Sequence, residues 1–188
     1  MAELESIRRM PYFPEGEKAI LGTIIMDPKR YDDVSSLKKD DFFLPQHQQI
    51  FEALTQMYLD NKQVDLVTLI ATLTQMGSYT EGDAGKYIML LADLATSASN
   101  IEEYAKIVHG KAILRMLIEA TREISDQAYS EVGAVSDILN NAQTKIAEVA
   151  DQTYGQNFEH VKSAIIKNYD TLALLKQDPN ALMGLRTN

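Results

Sequence analysis

No cysteine occurs anywhere in the 188 residues, so neither disulfides nor thiolate metal sites arise. There is no apolar run long enough to span a bilayer. The Arg8-Arg9 pair is followed by proline, glutamate and lysine rather than by the apolar core of an export signal, which makes the cytoplasm the default location. Phosphate-cradling loops of the G-x-x-x-x-G-K-[ST] or G-x-G-x-x-G kind are missing, as is a G-x-S-x-G nucleophile turn. His47, His109 and His160 lie far apart in the chain and lack companion ligands at metal spacing. Glu81-Gly82-Asp83 lacks the ligand spacing of a calcium loop. The adjacent carboxylates Asp40 and Asp41 project in different directions on a helix, so they read as capping and solvent-exposed groups, not a catalytic pair. Positive charge is also short, with 18 Lys and Arg against 27 Asp and Glu, a net charge of −9. Such a balance repels phosphate and argues against a direct grip on nucleic acid, while leaving protein partners open. The segment therefore reads as a binding module, with no catalytic residue, cofactor or metal of its own.

Helical periodicity is what the chain has, almost throughout, with no convincing alternation of β type. With 45% hydrophobic and 24% charged residues it has the composition of a soluble globular protein. The expected fold is all-α: a compact N-terminal helical bundle, a protruding helical hairpin and a separate linker helix. Residues 1–13 read as a flexible lead and 14–100 as the bundle. Pro14 fits the first position of its first helix, with Glu15 and Glu17 favouring the positive helix end. Gly22 inside that helix marks either close approach of a neighbouring helix or a tolerated weak spot. Asp27-Pro28 starts a short second helix, Pro45 a third, and Asp65 caps a fourth that Gly77 stops. His47 reads as a packing or hydrogen-bonding residue. Ser78 to Ala84 forms an acidic loop before a fifth helix over 85–95.

Residues 101–151 form the expected hairpin. Its first helix opens at Asn100, with Glu103 three residues on as in a capping box, and runs to about Tyr129. Ile101, Tyr104, Ala105 and Val108 share one face; beyond Ala112 the apolar face passes to Ile113, Leu117, Ala120 and Ile124. Lys111, Arg115, Glu119, Arg122, Glu123 and Asp126 then take the side that was apolar. One straight helix has no internal reason for this, so two packing partners are implied. Gly133 sits in the turn, and the returning helix carries one stripe: Val135, Ile138, Leu139, Ala142, Ile146 and Val149. Two such helices enclose a very thin core. They bury their remaining surface either against a second copy of the chain or against the rest of their own chain. Residues 152–157 read as a linker, 158–177 as an amphipathic linker helix with Val161, Ile165, Tyr169 and Leu172 on its stripe, and 178–188 as a tail.

Several stretches match one family. Pro14-Glu15-Gly16-Glu17 with Leu21-Gly22 resembles the E-A-E-x-x-[VL]-L-G opening of bacterial replicative DNA helicases, the DnaB family. Asp41-Phe42-Phe43, His47, Ile50-Phe51 and Val64-Asp65-Leu66-Val67-Thr68-Leu69 resemble its D-F-Y…H-x-x-I-F…[VI]-D-L-[VI]-T-[LV] run. Asn100-Ile101, Tyr104-Ala105 and Ile107-Val108 resemble its A-N-[IV]-x-x-Y-A-x-I-V signature. Gly184-Leu185-Arg186-Thr187-Asn188 is similar to the stretch that enters the family's RecA-like ATPase domain. Gly16 and Asn188 depart from the usual Ala and Gly.

The resemblance implies an N-terminal collar segment, with the ATPase motor, ATP and magnesium belonging to a domain absent here. It implies dimers paired through the hairpin, three of them forming a hexameric ring, and docking of primase. A helicase loader is a further candidate partner. Single-stranded DNA would thread the full-length ring without being held strongly by this segment, and no membrane is involved. The dimer interface is assigned to Leu117, Ile124, Ile138, Leu139, Ala142 and Ile146, and primase contact to Tyr104 and Val135. Docking of the linker helix is assigned to Val161, Ile165, Tyr169 and Leu172. The alternative is a stand-alone, non-catalytic adaptor or decoy that captures helicase, loader or primase.

Overall fold

A computed structural model describes residues 9–77, 81–95 and 100–154, of which 81–83 and 153–154 are described for backbone only. Six α-helices occur among them: α1 (Pro14–Met26), α2 (Pro45–Leu59), α3 (Leu66–Gln75), α4 (Glu81–Leu94), α5 (Ile101–Ser130) and α6 (Val135–Tyr154). Short 3₁₀ segments at Pro28–Val34 and Lys39–Asp41 connect α1 to α2. No strand occurs among the described residues, and the all-α expectation holds. Met1–Ala150 forms one unit. The expected linker, linker helix and tail, with Val161, Ile165, Tyr169 and Leu172, lie outside the described residues.

Helix starts follow local chemistry. Pro14 and Pro45 open α1 and α2, where the missing N–H is one the helix could not use. Asp65 caps α3 by accepting the Thr68 N–H at 2.8 Å, while the Thr68 hydroxyl accepts the Asp65 N–H at 3.1 Å, a reciprocal capping box. Gly77, at φ +72°, ends that helix. Two starts differ from the sequence reading. Asn100 precedes α5, but its side chain makes no cap hydrogen bond; the first-turn N–H groups of Glu103 and Tyr104 reach its backbone carbonyl instead. And α4 begins at Glu81, inside the stretch read as an acidic loop, because carboxylates in a first turn favour helix as readily as loop.

The core is built around α1, which packs against α2, α4 and α5. Ile20, Leu21 and Ile24 of α1, Phe42 and Phe51 are all 1% exposed or less. The Phe42 and Phe51 rings lie 4.7 Å apart. Each such side chain removed from water contributes about 1.5–3 kcal/mol. Gly22 settles its two readings in favour of close approach: a Cβ there would lie 2.1 Å from the Leu91 carbonyl oxygen of α4. Every third or fourth residue of α4 from Ala84 through Ile88 and Leu91 is buried, the spacing that lays one helix face on α1.

Candidate interaction surface of the helical hairpin

Buried polar groups tie the elements of the bundle together, and one of them, Asp41, reaches α5. Glu17, 1% exposed, accepts the Phe43 N–H at 2.7 Å with Oε1 and meets His47 Nδ1 at 2.6 Å with Oε2. His47 is fully buried, and its Nε2 lies 2.7 Å from the Tyr87 hydroxyl. That hydroxyl accepts from Gln46 at 3.1 Å. The coherent assignment has Tyr87 donating to Nε2 and Nδ1–H donating to the Glu17 carboxyl oxygen, so every member is satisfied. Burial, and then the Glu17 charge, raises the Tyr87 hydroxyl pKa above its ordinary value. Glu17 thus does more than favour a helix end, and His47 is the hydrogen-bonding residue the sequence suggested.

Asp41 is 2% exposed, which corrects its reading as a solvated carboxylate. Its Oδ2 accepts the Lys38 N–H at 2.7 Å and its Oδ1 meets His109 Nδ1 of α5 at 2.8 Å. Loss of hydration is offset because each oxygen has a donor. Six residues further along α5, Arg115 donates to three main-chain carbonyls: Pro11 at 3.0 Å, Asp41 at 2.7 Å and Asp40 at 3.4 Å. Its guanidinium also lies over the Phe43 ring, 5.5 Å from the centroid. Burial lowers the Arg115 pKa, against the opposing pull of Glu17 and Asp41. Of the lead read as residues 1–13, residues 11–13 contact the bundle and α5. Pro11 is bonded to Arg115, Tyr12 packs on Phe43 at 4.8 Å and Phe13 meets Tyr104 edge-on at 6.2 Å.

Beyond Arg115 α5 continues to Ser130. Glu131 takes φ +51° and Gly133 φ +102°, which turns the chain into α6. At 1.5 Å per residue the 30 residues of α5 extend about 45 Å. Its bundle face runs Ile101, Ala105, Val108, Ala112 and then Arg115. The buried Ala120 marks a second face about a quarter turn round, on the side where Gln127 accepts from Asn141 at 2.6 Å. The exposed ion pair of Glu123 with Lys145 joins the same two helices, and its hydrogen bond raises the lysine pKa. Arg115 keeps the bundle side despite its charge, so the face passes to α6 later than apolar spacing suggested.

The residues assigned to a dimer interface fall on this hairpin. Leu117 is 38% exposed, Leu139 59% and Ile146 41%; Ile124, Ile138 and Ala142 are half-buried. From Val135 to Gln152 no α6 residue is buried. Leu114 and Ile118 of α5, 45% and 42% exposed, add exposed apolar surface to that helix and were missed. Their four-residue spacing was the available signal, masked by the adjacent stripe through Leu117. Tyr104 and Val135 do not meet: Tyr104 packs on the bundle core, while Val135, 73% exposed, starts α6 just past the hairpin turn. Among the described residues no three histidines or carboxylates gather as metal ligands, and no helix is long and apolar enough to cross a membrane.

Comparison with known proteins gives this geometry its context. The chain is 32% identical over 188 residues to the replicative DNA helicase DnaB of Geobacillus stearothermophilus and to the replicative DNA helicase DnaC of Bacillus subtilis (strain 168). In both cases the alignment takes in all of this chain and 41% of the relative's length. The crystal structure of the N-terminal domain of DnaB helicase from Mycobacterium tuberculosis superposes with a TM-score of 0.70 at 29% identity, covering 74% of this chain and 99% of that one. A DnaB-like replicative helicase, described with its interactions with primase, shares the fold with a TM-score of 0.61 at 15% identity, over 93% of this chain and 36% of that one. Residues 9–110, more than half of the chain, match the DnaB-like helicase N terminal domain model, and the chain belongs to that family.

Proposed function

We propose that this chain is the collar segment of a replicative DNA helicase, assembling the ring by pairing hairpins between two copies. One observation carries the reading: from Val135 to Gln152 no α6 residue is buried, yet Val135, Leu139 and Ile146 stand exposed on one stripe of that helix. A second hairpin offers the same surface in return, as a two-fold contact requires. Three such dimers would build a hexameric collar above a motor that binds ATP and magnesium. Primase docks on the collar, with Val135 beside the hairpin turn as its contact. Tyr104, partly buried at the root of α5, is the second contact assigned to primase. The loader is a further partner. Single-stranded DNA passes through the ring without a strong grip from this segment, in keeping with its net charge of −9.

The test is the mass of the particle in solution. Ile138→Asp with Ile146→Asp places two carboxylates on the stripe. By light scattering the mass should fall from that of a dimer to the 21.1 kDa of one chain, with helicity retained. An unchanged mass would remove the hairpin interface from this reading.

A further inference from the structure

Gly110 stands inside α5, and apart from the backbone of its own helix and its two chain neighbours no heavy atom lies within 4 Å of where its Cβ would be. Unlike Gly22, then, it meets no neighbour in this chain that excludes a side chain. A glycine in a helix interior is a weak point of the backbone, and sharp helix bends concentrate at such points. What surrounds it is specific. One residue before it, His109 is bonded to the buried Asp41 carboxylate. Five residues after it, Arg115 binds the carbonyls of Pro11, Asp40 and Asp41. Between Gly110 and Arg115 the fully seated side chain is that of Ala112, 1% exposed, a single methyl group. The helix is thus gripped on both sides of its weakest residue, and the far grip is one side chain reaching main-chain carbonyls.

We propose that Gly110 and Arg115 form a latched hinge that sets the direction in which the hairpin leaves the bundle, with residues 11–13 as the strap of the latch. When Arg115 holds the strap, α5 is fixed across Gly110. When the strap is drawn away, Arg115 loses the Pro11 carbonyl and keeps those of Asp41 and Asp40, which loosens the grip on α5 beyond the glycine. Because Asp41 serves both grips, through its carboxylate to His109 and its carbonyl to Arg115, a shift of the 3₁₀ turn Lys39–Asp41 is felt on both sides of the hinge. The hinge is a property of one chain and holds whether or not the collar reading does.

The absence of cysteine allows two spin labels to be placed cleanly, at Val67→Cys on α3 and Val132→Cys in the hairpin turn, 76% and 78% exposed. The 188-residue chain is labelled and diluted with unlabelled chain, so that pulsed dipolar spectroscopy reads distances within one molecule. The parent should give one narrow distance distribution. Arg115→Met, which keeps the aliphatic stem, should broaden it roughly twofold, and removal of residues 1–11, which spares the bonds to Asp40 and Asp41, should broaden it by less. Adding Gly110→Ala to either variant should narrow it again. An unchanged distribution on loss of the latch overturns the proposal, and so does broadening that Gly110→Ala fails to reverse. Should Arg115→Met not fold, the truncated chain carries the same test.

Discussion

The bundle and the hairpin of this chain are built from the same helix, α5, yet they satisfy their residues in opposite ways. In the bundle, large apolar side chains are sealed, and the two carboxylates buried with them have partners: Glu17 with His47 and the Phe43 N–H, Asp41 with His109 and the Lys38 N–H. In the hairpin beyond Arg115, Ala120 is the buried residue among those described. The polar ties between its helices, Gln127 with Asn141 and Glu123 with Lys145, are exposed. The first region has finished folding within one chain. The second has the backbone of a finished structure and the surface of an unfinished one, which is what a segment that assembles through its sides requires.

The sharpest way to break this comparison is to disturb the polar couple of the bundle. Glu17→Ala strips the partner from both His47 Nδ1 and the Phe43 N–H in a site closed to water. Leaving two buried N–H donors without an acceptor costs about 1–3 kcal/mol each, so urea unfolding followed by helicity should show the bundle destabilised by that order. A loss below 1 kcal/mol would mean that water reaches the site and that the bundle is less sealed than its burial indicates.

A smaller effect is expected where α1 meets α4. Gly22→Ala puts a methyl group on the Leu91 carbonyl oxygen, and backbone cannot yield as a side-chain tip can. Overpacking of this kind costs about 1–3 kcal/mol, offset in part by the better helix propensity of alanine. The urea midpoint should fall. A rise would show that α1 and α4 can separate without loss, and the two regions would then differ less in rigidity than their packing suggests.

The all-α class and most helix starts were legible because proline at a first turn and an Asx cap act within a few residues. The bundle face of α5 was legible through Val108 because apolar spacing follows burial there. It was lost at Arg115, whose place on the same face depends on carbonyls more than 70 residues away in the chain. Asp41 and Glu17 were unreadable for the same reason. A carboxylate in sequence looks solvated, and only the fold supplies the donors that allow its burial. Of the surface residues, those on α6 were accessible to periodicity, since one stripe serves one purpose. On α5 two faces overlap along one helix, and Leu114 and Ile118 fell between them.

The smallest effect belongs to the ion pair of the hairpin, and its smallness is the point. Lys145 meets Glu123 where both are open to solvent, at 27% and 49% side-chain exposure, so ordering two long side chains consumes most of the attraction. The hydrogen bond to Glu123, then its charge and that of Glu148, raise the lysine pKa in the folded chain. A raised pKa on a cation stabilises the fold fully below the unfolded value, about 10.4, and that contribution is lost as pH rises through the folded one. Lys145→Ala should therefore lower the melting temperature slightly at neutral pH and low salt. The gap should vanish at about 1 M salt, where the screening length is about 3 Å, and close again as pH passes the lysine range. A large, salt-insensitive loss would place Lys145 inside a contact that excludes water. The hairpin surface would then be closed in the free chain, and the difference between the two regions would lie in what covers the hairpin and not in how each half of α5 is packed.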